Sequence, residues 1–98
     1  MRGIGSKLIF KRKSEQQPAR NIVTRASLEQ SLAEAVRASH PEFETFVGVI
    51  VERVVPARSE DPNWAIKGVK YGKTDRHRSG IILLHCVELA QLEFNVSD

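Results

Sequence analysis

The sequence predicts a small α+β domain of helix–strand–strand–helix order, an antiparallel hairpin with two helices packed on one face, behind a disordered basic N-terminal arm. Three observations carry this. Two stretches, residues 27–39 and 75–94, repeat their apolar side chains at helical spacing or are apolar nearly all round. Between them lie two runs rich in β-branched and aromatic residues, joined by a short polar link. The first 22 residues show neither period. The expected organisation is therefore an arm over residues 1–22 and one domain over residues 23–98. The chain's 98 residues suit a single domain, and 41% hydrophobic with 28% charged residues reads as globular rather than disordered, collagenous or membrane-spanning.

The arm holds two early glycines, the basic run Lys11-Arg12-Lys13 and the polar stretch Ser14-Glu15-Gln16-Gln17-Pro18. It has too few apolar side chains to bury a face. Leu8-Ile9-Phe10 is its only consecutive apolar triplet, far short of a secretion signal's core or a membrane span. The expectation is a cytoplasmic protein without membrane contact.

Ser27 followed by Gln30 fits a capping box, so the first helix is expected to start there. Leu28, Leu32, Ala35 and Val36 then form its apolar stripe, and Glu29 suits the positive end of the helix dipole. Pro41 disfavours helical geometry at His40 and stops the helix near Ser39. The first strand, residues 46–55, is apolar on both faces, which calls for a cover on the second face. In the second, residues 63–71, strict alternation splits Trp64 and Ile66 from Val69 and Tyr71. A bulge at Gly68 would reunite all four on the core side and leave Lys67 and Lys70 outside. Thr74 or Asp75 then caps a second helix. Its polar stripe is narrow, only Glu88 and Gln91 flanking the direction of Leu84. Such a helix exceeds what a two-stranded sheet covers, which predicts a homo-oligomer or protein partner, with Leu84, Val87 and Phe94 as the assembly surface. The sheet is a candidate to continue across a two-fold axis.

The formal charge of +3 is patterned. Residues 1–25 carry seven basic and one acidic side chain, residues 26–62 three and seven, residues 63–79 five and one, and residues 80–98 none and three. The densest feature is Lys67, Lys70, Lys73, Arg76 and Arg78, with Trp64 and Tyr71 nearby. Cations beside aromatics can hold nucleic acid by phosphate contact and base stacking, and Lys11, Arg12 and Lys13 extend the anion-binding candidates. A plain solvated face with both rings in the core is the competing reading.

Catalytic and metal chemistry find little footing. Cys86 has no disulfide partner and lies in an apolar run, which raises a thiol's pKa and quiets it. His77 and His85 are eight residues apart, not the four that would pair them on a helix for zinc, and His85 and Cys86 point about 100° apart. Glu42 with Glu44, and Glu60 with Asp61, are acidic pairs in expected loops. No nucleophile elbow or phosphate-cradling glycine loop occurs. The sequence predicts a non-enzymatic binding or assembly module without cofactor or metal, acting by protein–protein contact, with nucleic-acid binding as the alternative.

Overall fold

A computed structural model of the chain describes residues 20–98. Seven elements follow one another: β1 (Asn21–Val23), α1 (Arg25–Ser39), a single 3-10 turn (Pro41–Phe43), β2 (Gly48–Arg53), β3 (Trp64–Lys70), α2 (Arg76–Glu93) and β4 (Phe94–Val96). The α+β class holds. The four-element order does not: two further strands frame it, and the strands form two separate two-stranded sheets. The arm expected over residues 1–22 lies outside the described residues up to position 19, and its last two residues, Asn21 and Ile22, belong to β1.

The framing strands escape a pattern reading because each is three residues long, too short to alternate. β1 and β4 pair in parallel, Asn21 with Phe94 and Val23 with Val96. This pairing also moves the start of α1. The extended backbone of β1 runs into Thr24, whose hydroxyl accepts the Ser27 amide at 3.1 Å. Thr24 is thus the cap, and Ser27 sits inside the first turn. Glu29 consequently lies beyond the positive helix end. Its Oε2 instead accepts the Val51 amide at 2.7 Å. Arg37 donates Nε to the Phe46 carbonyl at 2.8 Å and a terminal nitrogen to the Val47 carbonyl at 3.2 Å. Two charged side chains of α1 thereby hold one amide of β2 and two carbonyls of the segment leading into it. The helix ends at Ser39, ahead of Pro41.

β2 and β3 form the antiparallel hairpin, with a register break. Ile50 pairs with Gly68 but Val51 pairs with Ile66, so Lys67 is the extra residue. The bulge turns Trp64, Ile66, Val69 and Tyr71 toward the core and leaves Lys67 and Lys70 exposed. The core gathers Leu28, Leu32 and Val36 of α1, Phe43 and Phe46, Val49, Val51 and Trp64 of the hairpin, Leu83 and Val87 of α2, and Val96. The second hairpin face is not fully covered, Ile50 being exposed.

Gly72 closes the link from β3 to α2 with a φ of 63°. A β-carbon there would sit 2.8 Å from both the Thr45 carbonyl oxygen and Val47 Cγ2. Asp75 then caps α2 by accepting the Arg78 amide at 2.9 Å. Behind it, Ser79 is fully buried, its hydroxyl donating to the Asp75 carbonyl at 2.6 Å, and the Thr74 hydroxyl donates to the Tyr71 carbonyl at 2.6 Å.

At the other end, α2 passes into β4 without a glycine. The chain is drawn out of the helix by hydrogen bonds from Asn63 and from Trp64 at the start of β3. Trp64 Nε1 donates to the Phe94 carbonyl at 2.9 Å. The Asn63 side chain acts as a strand neighbour to Val96: Oδ1 accepts its amide at 2.8 Å and Nδ2 donates to its carbonyl at 2.9 Å. The Asn63 amide itself donates to Asn95 Oδ1 at 3.1 Å.

Three outcomes follow for stability, all readable as shifts in the chemical-denaturation midpoint. Gly72→Ala destabilises by about 2 kcal/mol or more, from the left-handed backbone and the close approach together. Gly80→Ala, whose β-carbon would meet only Tyr71 at 3.7 Å, stabilises by up to about 1 kcal/mol. Asn63→Ala costs about 2–3 kcal/mol, because it strands the amide and carbonyl of buried Val96.

Candidate functional site

The residues singled out for chemistry separate in space. Lys67, Lys70 and Lys73 are exposed and make no ion pair with a described residue. Arg76 lies over the Tyr71 ring, 5.1 Å from its centre, and Arg78 holds Glu42 at 2.6 Å. The basic cluster is thus partly engaged within the chain. Trp64 is 1% exposed and its indole N–H is bound, so it offers no face to a base. Tyr71 is half-buried, edge-on to Phe46 at 6.3 Å. Lys11, Arg12 and Lys13 lie outside the described residues.

Of the expected assembly residues, Leu84 is 59% exposed. Val87 is buried in the core, and Phe94 is half-buried at the start of β4 with its carbonyl bound by Trp64. The helix therefore has an inner face, Ser79, Leu83, Val87 and Ala90, and an outer one carrying Ile81, Leu84, Leu89 and Leu92. The outer four are 56%, 59%, 55% and 74% exposed. Sequence reading places Val87 on the surface because a helix that is apolar all round does not declare its inner side. The missed residues, Ile81, Leu89 and Leu92, follow only once β3 and α1 fix which side is covered. The inner-facing polar residue Gln91 has its own task, donating to the Trp64 carbonyl at 3.2 Å.

Beside this face, the free edge of β3 and the helix enclose an open apolar groove of about 310 Å³, lined by Ile66, Val69, Tyr71, Gly80, Leu83, Leu84 and Val87. A larger cleft of about 540 Å³ at the far end of α2 holds Arg20 with Glu60, Asp61 and Glu88. Arg20 Nε donates to the Gln91 carbonyl at 2.7 Å. Glu60 is 3.6 Å from Arg58, and Asp61 accepts the Arg58 amide.

Among the described residues, no three His, Cys, Asp or Glu side chains gather closely enough to hold a metal ion. His40 packs edge-on against Phe43, while His77 and His85 stay exposed along α2. Cys86 is partly buried against the core, and burial pushes its thiol pKa up. No described helix is long and apolar enough to cross a membrane. Compared with known proteins, the chain matches no family model, no curated protein and no solved structure.

The Cys86 thiol gives a direct check on this packing. A raised pKa keeps the thiol protonated near neutrality, where the thiolate is the reactive form. Alkylation by iodoacetamide in the folded protein should reach half its limiting rate at a higher pH than in the urea-unfolded chain. Equal midpoints would contradict the placement of Cys86.

Proposed function

We propose that this domain is a non-catalytic binding and assembly module that works through protein–protein contact on the outer face of α2, and that it self-associates. The observation carrying the reading is the run of four large aliphatic side chains on that face, each more than half exposed. Single exposed apolar residues are ordinary, but two adjacent pairs on one helix face, Ile81 with Leu84 and Leu89 with Leu92, are what a docking surface presents to a partner. The adjoining groove against β3 enlarges the apolar area at Leu84.

Nucleic-acid binding is the second reading, supported by exposed Lys67, Lys70 and Lys73 on the outer side of β3 and the following turn. It is the lesser one on chemical grounds. Base stacking requires an accessible aromatic face, whereas Trp64 is buried and Tyr71 is covered by Arg76.

Sedimentation equilibrium of the full chain separates the two. Assembly gives an average mass that rises above 11.0 kDa with concentration in the micromolar range, with no retardation of DNA or RNA in low-salt gels. A constant 11.0 kDa mass removes the assembly reading. Retardation that falls steeply with added salt installs the nucleic-acid one.

A further inference from the structure

The cleft holding Arg20 and the apolar groove beside β3 are two ends of one trough. One wall is α2, where Gly80, Leu84, Glu88 and Gln91 follow at four- and three-residue steps and form a single ridge. The other wall starts at Glu60 and Asp61 and continues into β3 as Ile66, Val69 and Tyr71. Its chemistry changes from end to end. Beside Gln91 it carries the carboxylates of Glu60, Asp61 and Glu88. Beside Gly80 it is apolar, ending at Tyr71 with Arg76 over the ring.

The chain enters this trough at its acidic end. Arg20, the first described residue, is bound there through Nε to the Gln91 carbonyl at 2.7 Å. Going back from Arg20, the sequence meets Lys13, Arg12 and Lys11, and then Phe10, Ile9 and Leu8. Cations first and apolar residues second is the order in which the trough turns from acidic to apolar. We infer that residues 8–13 of this same chain dock in the trough. Lys11, Arg12 and Lys13 face Glu60, Asp61 and Glu88, and the apolar triplet covers the groove and Leu84. The inference builds on the α2 surface of the assembly reading and adds its regulation. Leu84 borders the groove and also belongs to the exposed outer face, so the docked segment and a second copy compete for it.

Reach, size and charge all fit this occupant. Leu84 precedes Gln91 by seven residues along α2, about 10 Å. Phe10 precedes Arg20 by ten residues, a span of up to about 33 Å. The groove of about 310 Å³ lies at the small end of ligand-sized cavities, which suits a few side chains rather than a broad protein face. A tethered segment is also present at an effective concentration on the order of millimolar, above that of a free copy in the micromolar range. The reverse direction is disfavoured, because it would bring Lys11, Arg12 and Lys13 to the like charge of Arg76.

A nitroxide spin label on the full chain tests the position by NMR. Ser6→Cys carries the label, Cys86→Ser removes the other thiol, and circular dichroism verifies that each variant folds. With residues 8–13 docked, the amide signals of Gly80 and Leu84 should be broadened more than those of Asn21 and Gln91. Undocked, the label would lie about 20 Å from Arg20 in no fixed direction, and the loss would be greatest at Asn21 and Gln91. Leu8→Asp with Phe10→Asp should abolish the loss at Gly80. In the unlabelled chain the same pair should strengthen self-association about twofold or more in sedimentation equilibrium, since freeing a blocked site raises apparent affinity. A loss greatest at Asn21 and Gln91, or one that persists in the Leu8→Asp, Phe10→Asp chain, overturns the inference. So does an equal loss when labelled, unenriched chain is mixed with unlabelled, isotope-enriched chain, because the segment then comes from another copy. The expected loss at Gly80 with a mass fixed at 11.0 kDa in every variant supports the docked segment and removes the assembly reading. A mass that rises without that loss overturns the docked segment and leaves the assembly reading standing.

Discussion

The side chain of Asn63 is the clasp on which the architecture turns. Its amide supplies both a donor and an acceptor to Val96, so a side chain does the work of a missing strand. Through it the hairpin and the β1–β4 pair, which share no backbone ladder, become one body. Trp64 reinforces the junction from the next position, packing its ring into the core while its N–H binds the Phe94 carbonyl. Gln91 closes the loop from α2 onto Trp64. The network is part-buried, and the Asn63, Trp64 and Gln91 side-chain nitrogens each donate to a backbone carbonyl.

Placing β4 across that end has an effect on the rest of the helix. Once Phe94 and Val96 are held, α2 is fixed in rotation, with Leu83, Val87 and Ala90 directed at α1 and the hairpin. The remaining aliphatic residues have nowhere to go among the described elements. The domain is too small to hide them: a short chain buries a smaller fraction of its surface than a long one, and a two-stranded sheet offers little area to pack on. The exposed stripe is thus a geometric remainder of the same contacts that stabilise the core.

Much of the fold is legible from residue pattern where a local rule governs. Pro41 ending α1, Asp75 capping α2 and the bulge that returns Val69 and Tyr71 to the core each follow from constraints within a few residues. Features set by long-range hydrogen bonds are not legible. Phe94 reads as the last residue of a helix until Trp64 and Asn63, some thirty residues earlier, claim the backbone of Phe94 and Val96. Thr24 becomes a cap because β1 holds it extended, and nothing near Thr24 announces β1. Glu29 looks like a dipole partner, yet it serves the edge of β2. On α2 the sequence reports the excess of apolar surface without its direction, so it treats alike Leu84, which is exposed, and Val87, which is buried.

The parallel pairing of β1 with β4 carries a consequence for how the chain reaches this structure. Asn21 and Phe94 are partners across 73 residues, and Asp98 reaches back to the first amide of α1. Closing so long a segment is entropically unfavourable until contacts at both ends reward it, and such non-local contacts slow folding. On a ribosome the hairpin and both helices emerge before β4 does. During synthesis β1, the Trp64 indole and the Asn63 amide therefore stay unpartnered until β4 has emerged, and the pairing of β4 is what locks this end of the fold.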